Sequence, residues 1–224
     1  MIIDTHLHES KYSFDSHLTF KEAIETAKFV GLDGICVTNH DNNYLRKEIG
    51  NSAKINDILV IVGAEILTFE GDILVFGVDN VPENMLHANE LLEIVEKNNG
   101  VAISAHPFRN NNRGLGEHIR KVSNALSGVE AFNGSTFPYH NLYAYALATE
   151  LNIPCLGASD AHVSQNVGKY ATYFDSTIRD EEDFIEAVKS KNFCPVIRKN
   201  GYFEKIDIYT DLENTSLKYS LSQR

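Results

Sequence analysis

Short apolar runs alternate along the chain with segments in which apolar residues recur every three or four positions. In the clearest such segment, residues 19–30, Thr19 and Glu22 have capping-box spacing and Gly31 follows as a terminator. The longer period predicts helices, and short apolar runs between turn residues predict buried strands. Helices are predicted at 19–30, 44–54, 87–98, 115–126, 139–151 and 180–190, and strands at 1–4, 34–38, 58–67, 72–78, 101–105, 128–132, 153–159 and 170–174.

This alternation predicts an α/β fold with a parallel sheet and helices outside it. About seven such units favour a distorted (β/α)7 TIM-like barrel over an open, doubly wound sheet. The strand at 72–78 is either the next barrel strand or a hairpin partner of the run before it. No GxGxxG follows the first strand, and the sequence RGLG at 113–116 has only two glycines, which disfavours a dinucleotide-binding fold. Without a linker, repeat or low-complexity tract, residues 1–224 are predicted to form one domain.

Charge and cysteine content narrow the function classes. The chain has 20 Lys and Arg against 31 Asp and Glu, a net charge of −11, which argues against long nucleic acids and anionic membranes as partners. Cys36, Cys155 and Cys194 have no CxxC spacing, so neither a disulfide framework nor a thiolate zinc site is expected. No apolar run approaches about 18 residues and no signal peptide is evident, so we expect a cytoplasmic location.

Histidine and acidic residues cluster where the predicted strands end. In a parallel barrel these ends lie on one rim, so their side chains would meet there. The pairs His6-x-His8 and Asp160-x-His162 each point two side chains the same way on an extended segment. The strand ends bear His6, His8, His40, Glu65, His106, Asn133, Asp160 and His162.

Imidazole and carboxylate ligands without a thiolate suit Zn²⁺, Mn²⁺ or Fe²⁺. The ligands outnumber what one tetrahedral ion needs, so two or three divalent ions are expected, with Glu65 as a bridging carboxylate. Such a cluster lowers the pKa of water and holds the oxygens of a phosphoryl group during in-line displacement.

The order and spacing of these residues over positions 1–174 resemble the PHP (polymerase and histidinol phosphatase) family, in particular its smaller stand-alone members. The resemblance implies a distorted seven-stranded barrel with up to three metal ions. It implies a first ion on His6, His8, Glu65 and Asp160, a second on Glu65, His106 and Asn133, and a third on Asp15, His40 and His162. Two positions depart from the family pattern. Phe14-Asp15-Ser16 replaces Ser-Asp-Gly and brings His17 close, and Asn133 stands where relatives often have His or Cys.

These observations favour a metal-dependent phosphoesterase that hydrolyses a small phosphomonoester. Asp160, His162 and Glu65 are the expected catalytic residues, and Arg109, close to His106, would bind the substrate phosphate. Arg113 and Lys169 are weaker phosphate-binding candidates, and Asp4 is expected to orient a ligating histidine.

Three alternatives stay open at this point. The first is a nuclease or nucleotide phosphatase for short oligonucleotides or 3′-phosphates. The second is an amidohydrolase-type C–N hydrolase, which would have a bridging Lys in mid-barrel where this chain has Glu65. The third is a metal-binding module without catalytic activity. His17, His87, His118 and His140 are expected to be ordinary surface or helix residues.

Overall fold

A computed structural model describes residues 1–206 of the 224-residue chain. Apolar and polar residues alternate weakly along the sequence from residue 202 to residue 224, and beyond residue 206 this stretch lies outside the described residues. The strands are β1 (Ile2–Leu7), β2 (Gly34–Val37), β3 (Ser52–Ile55), β4 (Ile58–Val62), β5 (Ala64–Leu67), β6 (Asp72–Phe76), β7 (Val101–Ser104), β8 (Gly128–Asn133), β9 (Cys155–Ala158), β10 (Tyr170–Phe174), β11 (Phe193–Lys199) and β12 (Tyr202–Lys205). The helices are α1 (Phe20–Val30), α2 (Arg46–Ile49), α3 (Ala88–Lys97), α4 (Ile119–Val122), α5 (Pro138–Glu150) and α6 (Glu181–Ser190).

The strands form two mixed sheets, which confirms the α/β class. One sheet has the order β12-β11-β10-β1-β2-β4-β3 and the other β5-β6-β7-β8-β9. The pairs β1–β2, β2–β4, β7–β8 and β8–β9 are parallel, whereas β6 is antiparallel to both β5 and β7. The connection from β5 to β6 is far shorter than the dozen or so residues that a parallel crossover needs, so these strands form a hairpin. A closed barrel stays a prediction.

Gly63 divides the single strand predicted at 58–67 between the two sheets. β4 precedes it in the first sheet and β5 follows it in the second. A Cβ atom at Gly63 would lie 2.5 Å from the Phe76 ring and 2.7 Å from the Val75 carbonyl oxygen, so only glycine fits there. The apolar run continues through the break, which is why the sequence pattern does not reveal it.

The predicted α1 is confirmed in its capping, its buried face and its end. Thr19 Oγ1 accepts from Glu22 N at 3.2 Å, and the Glu22 carboxylate accepts from Thr19 N at 3.0 Å. Gly31 ends the helix in the left-handed conformation, at φ 87°. The buried residues of α1 are the predicted stripe of Ala23, Ile24, Ala27 and Val30.

Other segments differ from their predictions. The helix predicted at 44–54 is only the four-residue α2, followed by β3, because Asn56 and Asp57 both have positive φ and make a tight hairpin to β4. The helix predicted at 115–126 is a 3₁₀ turn followed by the short α4. β11, which contains Pro195, was not predicted, since proline weakens the strand pattern.

No helix within residues 1–206 is long and apolar enough to cross a lipid bilayer.

Hydrogen bonds beyond the strand ends bring the predicted metal-binding segments together. The amide of Asp160, just after β9, donates to His6 O at 2.8 Å, and His8 N donates to Ala161 O at 3.0 Å. The amide of Glu65 in β5 donates to Asn39 O, after β2, at 3.1 Å. The ends of β1, β2 and β9 and the start of β5 therefore meet in one place.

Candidate metal centre

His6 and His8 direct one ring nitrogen each toward the same point. They stand two residues apart on β1 and its extension, so their side chains leave the same face. His6 Nδ1 lies 3.0 Å from Glu130 Oε1, and His8 Nδ1 lies 3.3 Å from Ser13 Oγ. These contacts fix the two rings with their Nε2 atoms 2.9 Å apart.

Two carboxylate oxygens complete this group. Glu65 Oε2 lies 3.4 Å from His6 Nε2 and 3.2 Å from His8 Nε2, and Asp160 Oδ1 lies 3.5 and 3.3 Å from the same atoms. Both oxygens are buried, and neither has a hydrogen-bond partner within residues 1–206. Ligands about 2.1 Å from a tetrahedral ion are about 3.4 Å from one another. The donor set and its spacing therefore fit a divalent cation, which would satisfy both orphaned oxygens.

A second group lies toward the rim of the same cavity. Asp15 Oδ2 is 3.1 Å from His40 Nε2 and 3.3 Å from His162 Nε2. His40 Nδ1 lies 3.0 Å from Glu65 Oε2, so the same carboxylate oxygen faces both groups. The structure thus brings together the predicted residues Asp15, His40 and His162, whereas the His17 side chain is exposed.

The residues predicted to hold the remaining ion, Glu65, His106 and Asn133, are only partly brought together. His106 Nε2 lies 2.7 Å from Glu65 Oε1, which brings the predicted pair together. The side-chain oxygen of Asn133, however, accepts from Arg109 Nη2 at 2.6 Å, while its amide nitrogen donates to Glu130 and Asp160. Arg109 also contacts the Asp160 carboxylate directly. Arg109 is therefore in the cavity, as a phosphate-binding residue would need to be.

Two buried acidic residues of the centre were not predicted. Glu130 accepts from His106 N at 2.7 Å while its other oxygen contacts the His6 ring. Asp72, the first residue of β6, has an oxygen 3.9 Å from His106 Nε2 and binds Arg113 through both oxygens. A charged residue within an apolar strand, such as Glu130 in GVEAF, is the sequence signal that could have identified it.

Asp4 was expected to orient a histidine ring, but its carboxylate binds two backbone amides instead. Its two carboxylate oxygens accept from Ser159 N at 2.8 Å and from Gly168 N at 2.9 Å, which fixes the loop that carries Asp160. Complete burial raises the pKa of Asp4 to about 6, although these hydrogen bonds oppose the shift. The ring of His6 is instead held by Glu130.

The two central carboxylates are ionised at neutral pH. Burial alone would raise the pKa of Glu65, but His6, His106 and His40 hold it well below its usual range. The pKa of Asp160 is likewise held low against burial, mainly by the charge of His6. Against burial, Asp160, Glu130 and Glu65 raise the pKa of His6 well above its usual value, so a cation bound there would displace a proton.

Residues of all three groups line one cavity of about 100 Å³. It is lined by Asp15, His40, Glu65, His106, Arg109, Asn111, Arg113, Asp160 and His162. The predicted secondary candidate Lys169 instead donates to the backbone oxygen of Gly134. His87 is the exposed N-cap of α3, where it contacts Glu70.

Comparison with known proteins supports the resemblance seen in the sequence. A family model described as PHP-associated matches residues 138–193. The chain is 31% identical to the uncharacterized protein MJ1587 of Methanocaldococcus jannaschii over 144 residues, which cover 59% of this chain and 82% of the relative. The chain belongs to the PHP family.

Two solved structures share the PHP fold of this chain. One is a two-domain protein of Bacteroides vulgatus, described as containing a predicted PHP-like metal-dependent phosphoesterase; it has a TM-score of 0.65 and 17% identity, over 88% of this chain and 65% of that one. The other is the lesion-specific endonuclease EndoQ of Pyrococcus furiosus, with a TM-score of 0.63 and 20% identity, over 85% of this chain and 56% of that one.

Proposed function

We propose that this PHP protein is a metal-dependent phosphoesterase that hydrolyses a small phosphomonoester. One observation carries the proposal. The buried, unpartnered oxygens Glu65 Oε2 and Asp160 Oδ1 face His6 Nε2 and His8 Nε2 at ligand spacing, within a cavity that Arg109 also lines. A cation site beside a guanidinium group suits the negative charge of a phosphate ester.

His6, His8, Glu65 and Asp160 would hold one ion, and Asp15, His40 and His162 a second, with Glu65 between them. Divalent ions at these positions supply the Lewis acidity that activates water and neutralises phosphoryl oxygens. Glu65 and Asp160 bring the negative charge that retains the ions. The ions are Zn²⁺, Mn²⁺ or Fe²⁺ on the basis of the nitrogen and oxygen donors.

Arg109 and the rim residues have separate tasks in this proposal. Arg109 binds and orients the phosphoryl oxygens at the cavity wall. His162 Nδ1 lies 3.1 Å from Asp160 O, so Nδ1 carries the hydrogen and Nε2 offers a lone pair toward Asp15. His162 therefore acts as a ligand together with Asp15, whose pKa the neighbouring His40 and His162 hold below its ordinary value despite partial burial, so that it stays a carboxylate. The leaving oxygen then takes its proton from solvent water at the open side of the cavity.

A nucleotide phosphatase or a nuclease for short oligonucleotides is the second candidate. Thr136 contacts Arg109 from one side, and exposed aromatic rings follow it in sequence. Phe137 and Tyr139 stack with ring centroids 5.8 Å apart and an interplanar angle of 10°. The ring centroids of Tyr143 and Phe108 are 6.2 Å apart. Such rings can stack on a base while the phosphate reaches Arg109.

We infer that the two sheets form one distorted seven-stranded ring, within a single domain of residues 1–224. The backbone hydrogen bonds between the ends of β1 and β9, and the continuation of β4 into β5 through Gly63, support this. Such a ring would gather the strand ends on one rim, where the active sites of α/β barrels are built.

The test combines metal content with hydrolysis. Protein loaded with Mn²⁺ or Zn²⁺ is analysed by mass spectrometry and assayed with a generic aryl phosphate and with nucleoside monophosphates. We expect bound metal and hydrolysis in the wild type, and at least a 100-fold lower rate in Asp160→Ala. Asp175→Ala, on the exposed turn after β10, is the matched control and should keep full activity. Metal binding without phosphatase activity would reject the phosphomonoesterase proposal.

A further inference from the structure

Asn133 uses its side chain to fix its own loop, and this bears on how many metal ions the centre holds. Its Oδ1 accepts from Ser135 N at 2.9 Å and from Thr136 Oγ1 at 3.0 Å, as well as from Arg109 Nη2. Three donors therefore share an oxygen that has two lone pairs. The contact with Ser135, two residues on, is the usual turn chemistry of Asn at the end of a strand.

The orientation of this amide follows from its neighbours. Asn133 Nδ2 lies 3.0 Å from Glu130 Oε2 and 3.2 Å from Asp160 Oδ2, and both of these oxygens are acceptors. The opposite end faces only donors. A flipped amide would place oxygen against two carboxylates and NH₂ against an arginine, so Oδ1 is the atom directed at Arg109.

A further candidate for a third ligand beside Glu65 and His106 is also engaged. Asp72 is fully buried and lies near enough to both residues to share a cation with them. Arg113 binds it through Nε at 2.8 Å and Nη2 at 2.9 Å, one bond to each carboxylate oxygen. This is the two-point geometry in which an arginine neutralises a carboxylate most effectively.

We propose that Arg109 and Arg113 together replace a metal ion at the Glu65–His106 side of the centre. The chain then binds metal at two positions, one at His6 and His8 and one at Asp15, His40 and His162. This inference rests on the metal centre of the proposed function. The two guanidinium groups supply fixed positive charge next to Asp160 and Asp72, and neither can be lost by deprotonation or chelation.

The test is the number of Mn²⁺ ions per chain, measured by mass spectrometry after saturation and desalting and by calorimetric titration. The wild type should hold two. The double variant Arg109→Ala, Asn133→Asp removes the guanidinium and supplies a carboxylate of the same size, so it should hold three. Arg113→Gln, on a half-exposed side chain, frees Asp72 without altering the buried amide network and should also gain an ion. Arg120→Ala, which breaks only exposed contacts with Glu117 and Glu150, should stay at two.

Each result has a distinct meaning. Three ions or one ion in the wild type, or no gain in either folded variant, would overturn the inference while leaving the metal centre in place. No bound Mn²⁺ in the wild type would instead reject the metal centre, and with it the proposed function. Circular dichroism establishes that each variant is folded before its ions are counted.

Discussion

At the scale of single residues, the centre depends on acidic groups that never face the cavity. Glu130 is the clearest case, because its two oxygens contact the ring of His6, the backbone amide of His106 and the side-chain amide of Asn133. All three partners are donors, so a carboxylate is required and an amide side chain cannot replace it. One buried side chain thus sets the geometry of three neighbours.

Replacing Glu130 by Gln tests this positioning role. Gln retains the shape but turns one acceptor into a donor, so the His6 ring loses its orientation and part of its basicity. We expect a 10–100-fold weaker affinity for Mn²⁺ by calorimetric titration, on the order seen for residues that orient metal ligands. Glu117→Gln, on the exposed surface, is the control and should bind normally. Unchanged affinity in Glu130→Gln would show that the His6 ring is held by other contacts.

At the scale of elements, Asp4 joins β1 to the loop after β9 through Ser159 N and Gly168 N. Its pKa of about 6 exceeds the ordinary value of 3.8, so the folded state holds this proton more tightly than the unfolded state. For an acid shifted in this direction, stability is greatest at low pH and falls as pH rises from about 4 to 6.

Comparing the wild type with Asp4→Asn isolates this effect, because the variant cannot titrate there. The stability of the wild type relative to the variant should fall by up to about 3 kcal/mol between pH 4 and pH 7, since one pKa unit corresponds to about 1.4 kcal/mol. Urea unfolding of metal-free protein at both pH values measures it. Asp33→Asn, which removes the charge of an exposed carboxylate that accepts from Ile2 N, is the control. A relative stability independent of pH would contradict the shifted pKa.

Local patterns predicted most elements but not how the strands pair. The α1 cap, stripe and terminator are all short-range features, so the sequence alone identifies them. The break at Gly63 is required by Phe76, a residue distant in sequence, and so no local pattern reveals it. Likewise, β11 is stabilised by its pairing with β10 and β12, which offsets the unfavourable Pro195.

The same distinction applies to the centre. His6, His8 and Asp160 could be predicted from strand ends and two-residue spacing. The sequence marks Glu130 only as a charged residue within an apolar strand, and the roles of Glu130 and Asp72 depend on partners distant in the chain, here His6 and Arg113. The side chain of Asn133 contacts Ser135 and Thr136 close by in the chain, and Arg109 and Asp160 far from it. The distant contacts cannot be read from the sequence, so the residue type suggests a ligand whereas its surroundings suggest a loop anchor.

At the scale of the whole molecule, the centre gathers negative charge in a chain that already has a net charge of −11. Glu65 and Asp160 are buried in the same cavity, each with an oxygen that lacks a hydrogen-bond partner within residues 1–206. A buried, unpaired ionic group lowers stability by several kcal/mol unless a counter-charge is present. Bound cations therefore contribute to the stability of the fold as well as to its chemistry.

Metal removal should accordingly lower the melting temperature. A ligand present at 100 times its Kd stabilises the folded state by about 2.7 kcal/mol, which for a chain of this size is roughly 5–10 °C. We expect that difference in calorimetric melting between wild-type protein in excess Mn²⁺ and in EDTA. Asp160→Ala should lose most of the difference, because it removes a ligand, whereas Asp175→Ala should keep it. Equal melting temperatures in Mn²⁺ and EDTA would contradict the expected link between metal binding and folding. A shift that persists in Asp160→Ala would place the stabilising ion at the rim group of Asp15, His40 and His162.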